Sequence, residues 1–399
     1  MRPTYERSPA LRPDPSARQP LRHVAFGLAM RTWADGAQDG HYRSGQAIVR
    51  EALTDPGLDS VLVSDPLRSW ASRVSPRAGR APSMGEDPTR DLLQHYRLRR
   101  GLPRIPAEAE AVFGRVERRL LRRLGPRPTV LVTSDPVQAA TADPDAWADV
   151  VFHAWDDFAE APHPHHRAAR DLYLWAYDRM AERDVKVISV AERTAERIGA
   201  PRRHVIPNGV TAAEFERPGQ PPEWFSRLRT KVALYAGTME SRVDTAALTD
   251  LAGALGPSWT IVMVGLVTEP EPFERLRTLP NVVIADSWHP RPQVLAMMSR
   301  ADACLLPHLD TALTRTMSPL KMYEYLASGA PVIATDLPTI RKVSGRCRLI
   351  PPGAPWAAAV RQAAAGPRAT AAEIDRFRAA HDWQTRYREW RAYAFAGRS

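Results

Sequence analysis

The sequence predicts an α/β protein of two doubly wound domains facing each other across a cleft, and three observations predict it. Short apolar runs recur with helical segments between them, the pattern of parallel strands buried on both faces. The series breaks at the proline-rich residues 218–222 and then starts afresh. The 399 residues, 44% of them hydrophobic, have room for about two sizeable cores at ~100–200 residues per domain.

Residues 1–20 are dominated by Arg and Pro without an apolar repeat, and read as a disordered arm. Residues 23–30 form the first strand, and a loop with Trp33, Gly36, Gly40 and His41 leads to a helix over 44–53. A second strand covers 60–64, followed by a polar Pro/Gly-rich loop over 71–88. Residues 115–124 have helical spacing, with Val116, Leu120, Leu121 and Leu124 set against arginines. Strands at 129–133 and 150–153 follow, the latter running from His153 towards Trp155, Asp156 and Asp157. A helix over 167–182, a strand over 185–190, a short helix to 198 and a strand over 203–206 complete an N-terminal domain of residues 21–210. Asp65 and Asp135 each follow a strand and precede a proline, so both read as turn or cap residues.

Beyond a linker at 211–222, the second domain spans 223–370. Its strands are expected at 232–236, 260–264, 282–284, 303–306, 332–335 and near 349–350. Its helices are expected at 245–255, 294–300 and 320–328, and a last helical stretch covers 371–394 with Trp383, Tyr387, Trp390 and Tyr393.

Composition excludes several classes. No run reaches the ~18 apolar residues of a membrane span, and the first 20 residues lack the apolar centre of a secretory signal. Two cysteines, Cys304 and Cys347, cannot build a disulfide framework, so a reduced, cytoplasmic protein is expected. The net charge of +10 raises nucleic acid as a partner. Only four of the 55 basic residues are lysines, however, and with 37 prolines this is the composition of a GC-rich genome; no nucleic-acid partner is expected. The cluster His163-Pro164-His165-His166 lacks partnered Cys or carboxylate spacing, so no metal site is expected. Between Arg97 and Arg127 ten arginines stand against three glutamates. This segment is open to two readings: an interfacial helix docking its leucine face on anionic lipid at the membrane's inner face, or a core-facing helix with a solvated back.

The second domain carries the chemistry. In open α/β sheets a ligand sits beyond the carboxyl ends of the strands, where helix N-termini offer amides to phosphate. No GxGxxG or Walker A run is present, which lowers dinucleotide and ATP readings. A strand ends instead at Ala236-Gly237-Thr238 with Arg242 just beyond, and Met317 to Glu324 opens a helix. Pro319 suits the first helical turn, Ser318 is the expected N-cap, and the amides near Leu320 and Lys321 would hold a diphosphate together with the Lys321 charge. Glu324, one turn on, would accept both hydroxyls of a ribose. In the first domain, His153, Asp156 and Asp157 stand at a strand end as catalytic candidates, and Trp33 with His41 offers an aromatic platform for a sugar acceptor.

The run Ser318-Pro319-Leu320-Lys321-Met322-Tyr323-Glu324-Tyr325-Leu326-Ala327-Ser328-Gly329-Ala330-Pro331-Val332-Ile333 resembles the donor-site signature of GT-B glycosyltransferases. Among these it resembles the retaining family 4 and its teichuronic-acid-type members. Val205-Ile206-Pro207-Asn208-Gly209-Val210 resembles their interdomain strand, and Tyr235-Ala236-Gly237-Thr238-Met239-Glu240-Ser241-Arg242-Val243-Asp244 their first donor-domain turn. The agreement covers about residues 203–340; the N-terminal half matches only around Trp33 and Asp156-Asp157.

The resemblance implies a nucleoside-diphosphate sugar as donor substrate and a hydroxyl acceptor: a cell-wall or lipid-linked saccharide, or a small secondary metabolite. It implies retention of configuration, no metal or other cofactor, and residues 371–399 crossing back as a helix onto the first domain. It places Glu324 on the donor ribose, Arg242 and Lys321 on the diphosphate, and Gly237 where the diphosphate comes close. Two positions depart from the family: Thr316 stands where a second glutamate is common, and Thr238 where a basic residue often follows the turn glycine. Two other readings share the fold, a nucleotide-sugar epimerase and a non-catalytic partner protein.

Overall fold

The computed structural model describes residues 22–37, 40–72, 84, 87–98, 103–161 and 164–396. The expected N-terminal arm, most of the 71–88 loop, residues 99–102 of the arginine-rich segment and His163 lie outside them.

The first domain is built on strands β1 (Arg22–Gly27), β2 (Leu58–Ser64), β3 (Arg68–Ser69), β4 (Arg90–Leu93), β5 (Tyr96–Arg97), β6 (Thr129–Thr133), β7 (Asp149–Ala154), β8 (Lys186–Ser189) and β9 (Arg203–Val205). Seven of them form one sheet in the order β4-β2-β1-β6-β7-β8-β9, and β3 and β5 pair separately. Every pairing is parallel. Strand alternation fills both faces. Ala25, Leu62, Leu131, Phe152 and Val187 enter one core, while Val24, Phe26, Val61, Val63, Val132 and Ile188 enter the other.

The arginine-rich helix starts earlier than its leucine spacing suggests, at Pro106, and runs to Leu124. Its Ala109, Phe113, Val116 and Leu120 lie in the first core, with Leu121 and Leu124 packed against it. Of the two readings of this segment the core-facing one holds: the leucine face is inside the domain, because the sheet needs that cover, and arginines form the solvated back.

The second domain carries β10 (Lys231–Ala236), β11 (Trp259–Gly265), β12 (Val282–Asp286), β13 (Ala303–Leu306), β14 (Val332–Thr335) and β15 (Cys347–Ile350). Their order is β12-β11-β10-β13-β14-β15, again all parallel. Helices Arg291–Arg300 and Leu320–Ala327 cover one face, and helices Thr245–Leu255 and Ala357–Ala365 the other. In each sheet the order reverses at a central strand, β1 or β10, which is where such sheets bind ligands.

The expected single helix over 371–394 is two helices, Ala371–His381 and Trp383–Ala394. Asp382 is extended (φ −65°, ψ 142°) and caps the second helix by accepting the Gln384 N–H. The first helix places Phe377 in the C-terminal core; only the second returns, burying Trp383, Tyr387, Trp390 and Ala394 in the N-terminal core. The chain thus passes between domains twice, and the passages bond to each other: Val210 N–H donates to His381 (2.9 Å) and Trp383 N–H to Val210 (2.8 Å). The expected linker over 211–222 is packed, with Phe215 buried in the C-terminal core.

Candidate functional site

Beyond the carboxyl end of β13 the chain makes a short helix, Ala312–Thr316, and then turns through Met317, Ser318 and Pro319 into helix Leu320–Ala327. The cap position is Pro319, and no side chain caps the helix. This corrects the expectation for Ser318. Its hydroxyl donates to the Tyr323 hydroxyl (3.3 Å), and its carbonyl accepts from Asn208 Nδ2 (2.5 Å). Ser318 therefore ties the helix start to the interdomain strand. Leu320 opens the helix and packs against the N-terminal core.

Glu324 is fully buried. Arg291 Nη1 lies 2.5 Å from its Oε1 and Lys321 Nζ 2.7 Å from its Oε2. Burial raises its pKa, but the Lys321 and Arg291 charges outweigh burial and hold it at about 2. Burial works against the Arg291 charge, and Glu324 and Glu214 more than restore it. Arg291 Nη2 also lies 2.6 Å from Glu214 Oε2. The first domain closes this cluster: the Tyr42 ring centre is 4.2 Å from the Arg291 guanidinium carbon and 5.6 Å from Lys321 Nζ. Tyr42 follows Gly40 and His41, both with positive φ (75° and 53°), a turn that suits Gly40 and aims the loop at the second domain. Both Glu324 oxygens are thus engaged, Oε1 by Arg291 and Oε2 by Lys321.

Arg242 sits beyond β10, ion-paired with Glu240 and 3.8 Å from Met317 Sδ, so it meets the loop that opens the donor helix. Gly237 donates its N–H to Val264 (2.9 Å). The glycine whose missing side chain is essential is Gly265, where a Cβ would fall 2.1 Å from the Gly237 carbonyl oxygen at φ 141°. Across the cleft, half-buried Asp156 accepts the Asp157 N–H (2.9 Å). Burial lifts the Asp156 pKa to about 6, opposed by the Arg242 charge and reinforced by Asp157 and Glu240.

The other first-domain candidates are placed differently. Asp157 is fully buried, accepts the Ala159 N–H (3.1 Å) and the Tyr177 hydroxyl (3.2 Å), and pairs with Arg197 at 3.3 Å. It is a cap and counter-ion with no free face. His153 is buried with Nε2 3.3 Å from the Ser44 hydroxyl, and burial lowers its pKa to about 4. Trp33 is a core residue, 6% exposed, with its ring stacked on His41 at 3.6 Å, so it has no free face for an acceptor sugar. Thr316, at the glutamate-replacing position, gives its carbonyl to the Thr194 hydroxyl of the first domain (2.7 Å). Arg291, Tyr42 and Glu214 were not legible in the sequence, because they come from three segments with no shared motif.

Two parallel-sheet domains facing each other across a cleft make up the GT-B fold. Residues 230–365 match the family model described as glycosyl transferases group 1. The curated relative TuaH of Bacillus subtilis (strain 168), named as a teichuronic acid biosynthesis glycosyltransferase, is 28% identical over 149 residues. That match covers 36% of this chain and just over a third (37%) of TuaH. The fold is similar to a glycosyltransferase from Rickettsia africae, with TM-score 0.66, 11% identity, and 93% of this chain and 98% of that one covered. It is also similar to a sucrose-phosphate synthase from Thermosynechococcus elongatus, with TM-score 0.65, 16% identity, and coverage of 92% and 97%. Anabaena HepE, solved in complex with UDP and glucose, has TM-score 0.62, 15% identity, and coverage of 93% and 98%.

Proposed function

We propose that the chain is a glycosyltransferase moving a sugar from a nucleoside diphosphate to a hydroxyl acceptor, with retention and without a metal. The observation that carries this reading is the Lys321–Glu324–Arg291 cluster at the opening of helix Leu320–Ala327, inside the segment that matches glycosyl transferases group 1. HepE is titled with UDP and UDP-glucose, which makes UDP the first nucleotide to try. Teichuronic acid synthesis in TuaH's name supports a saccharide acceptor.

The proposed step breaks the bond between the anomeric carbon and the diphosphate oxygen, and forms one from that carbon to the acceptor oxygen on the same face, which retains the configuration. Arg242 and Lys321 stabilise the charge gathering on the departing diphosphate. Glu324 receives the ribose once Arg291 swings away, and domain closure keeps water from the reacting carbon. Asp156, ionised at neutral pH and lifted to about 6, takes the acceptor's proton. A rate limb rising through about pH 6, absent in Asp156→Asn, is expected; the same limb in the variant would remove Asp156 from this role. Retention is read from the anomeric configuration of the product by NMR, and metal independence from turnover unchanged by EDTA.

The deciding experiment is calorimetric titration with UDP, GDP, TDP and ADP, with Glu324→Ala and Lys321→Ala in parallel. Micromolar binding of one nucleotide, lost in both variants, is the expected result. A folded protein that binds none of the four overturns the donor assignment.

A further inference from the structure

Outside the cleft, an unexplained surface lies on the outer edge of the first domain. Three large apolar side chains stand in solvent there: Leu98 is 90% exposed, Ile105 58% and Trp70 49%. Trp70 and Leu98 follow the paired residues Ser69 and Arg97 of the β3–β5 ribbon, and the Trp70 ring lies 6.1 Å from Tyr96. Ile105 is the cap position of helix Pro106–Leu124.

The solvated side of that helix carries Arg115, Arg118, Arg119 and Arg122, all exposed. Their spacing of i, i+3, i+4, i+7 makes one stripe, turned away from Ala109, Phe113, Val116 and Leu120 in the core. Glu117 does not neutralise it, because its carboxylate is turned to the Trp147 indole N–H (2.7 Å) and the Asp143 N–H (2.9 Å). The stripe borders the ribbon: Arg123 pairs with Asp91 of β4 at 2.6 Å, and the Arg119 charge is felt at His95, the neighbour of Tyr96.

We propose that this edge docks on an anionic lipid bilayer, with the arginine stripe on lipid phosphates and Trp70, Leu98 and Ile105 in the interfacial layer. A row of uncompensated arginines beside exposed Trp, Leu and Ile is the pairing such a surface selects. A protein partner favours a broad apolar patch with charge kept from its centre. A nucleic-acid duplex would engage the arginines and leave Leu98 and Ile105 in water. The mode differs from leucine-face insertion, since those leucines are internal.

The test is co-sedimentation of the full chain with vesicles of phosphatidylcholine alone and of phosphatidylcholine with phosphatidylglycerol. Binding to the anionic vesicles is expected to be about tenfold or more stronger and to weaken with salt. Replacing Arg115, Arg118, Arg119 and Arg122 together by Gln should abolish it, and Leu98→Asp should weaken it at unchanged charge on the stripe. Equal binding to both vesicles, no binding, or binding untouched by these substitutions overturns the proposal. So does preference for a duplex oligonucleotide with anionic vesicles left unbound. Nucleotide titration of the same variants reads the donor site separately, so either proposal can fail alone.

Discussion

Lys321 and Glu324 lie one helical turn apart, and Arg291 meets the same carboxylate from another helix. Lys321→Ala is expected to cut turnover at least ~100-fold, about 2.7 kcal/mol of transition-state stabilisation; near-normal steady-state kinetics would sink its diphosphate role. The Glu324 carboxyl is held at about 2, below its ordinary 4.5. Its stabilisation is therefore complete above pH 4.5 and is lost as pH falls through 2. Glu324→Gln leaves two cations without this partner and should cost about 3 kcal/mol at neutral pH. The gap in Tm between wild type and variant should then close as pH falls from 4.5 towards 2; a gap constant with pH would contradict it. The nearness of Lys321 to Glu324, and of Arg242 to the loop before that helix, was legible in sequence because a strand exit and a helix opening each bring a recognisable residue set. Asp156 and Asp157 were not separable, since adjacent identical residues differ only in facing the cleft or Tyr177 and Arg197. Trp33 was open to two readings, because an aromatic ring suits a core and a sugar platform equally; the structure places it in the core.

The helix Trp383–Ala394 completes the core of the first domain: Trp390 is fully buried and stacks 5.8 Å from Phe26 of β1. Its end is held by Lys186 of β8, whose Nζ donates to the carbonyls of Tyr393 (3.2 Å), Ala394 (3.2 Å) and Ala396 (2.7 Å) and pairs with Asp149 at 2.9 Å. A buried ammonium on the last carbonyls of a helix satisfies groups that would otherwise be orphaned. Lys186→Met keeps the stem's packing and leaves Asp149 to Arg202, yet frees those carbonyls. A loss of about 2–3 kcal/mol in urea unfolding is expected, with earlier proteolytic clipping after Trp383; an unchanged midpoint would show the helix is held by packing alone. The strands were legible because apolar runs buried on both faces leave little choice of structure. Some of their ends were not: β7 begins one residue before the expected strand, at polar Asp149, which pairs with Val130 in the sheet. The break at Asp382 was hidden as well: one capping residue interrupts a pattern that is helical on either side.

At the scale of the whole molecule, the groups proposed for the donor lie on the second sheet's domain, while Asp156 and Tyr42 come from the first. Donor binding and sugar transfer are therefore separable, and what joins them is the relative placement of the two domains. That placement runs through the paired passages at Val210 and Asp382, with Asn208 and Thr194 bonding to the loop that opens the donor helix. Gly209 sits where these passages touch: a Cβ there would fall 2.7 Å from the His381 carbonyl oxygen and 3.3 Å from the Trp383 ring. Backbone cannot yield as a flexible side chain would, so Gly209→Ala must push the two passages apart. Each sheet keeps its own core, so nucleotide affinity should stay within about twofold, ~0.4 kcal/mol. Turnover should fall about tenfold or more, because a shift near 1 Å between reacting groups can cost ~100-fold. Calorimetry and steady-state rates on the same preparation check this. A parallel fall in both would mean the substitution damages the donor domain itself. Full turnover would mean that alignment is set elsewhere, with the Tyr42 contact to Arg291 and Lys321 as the next element to change.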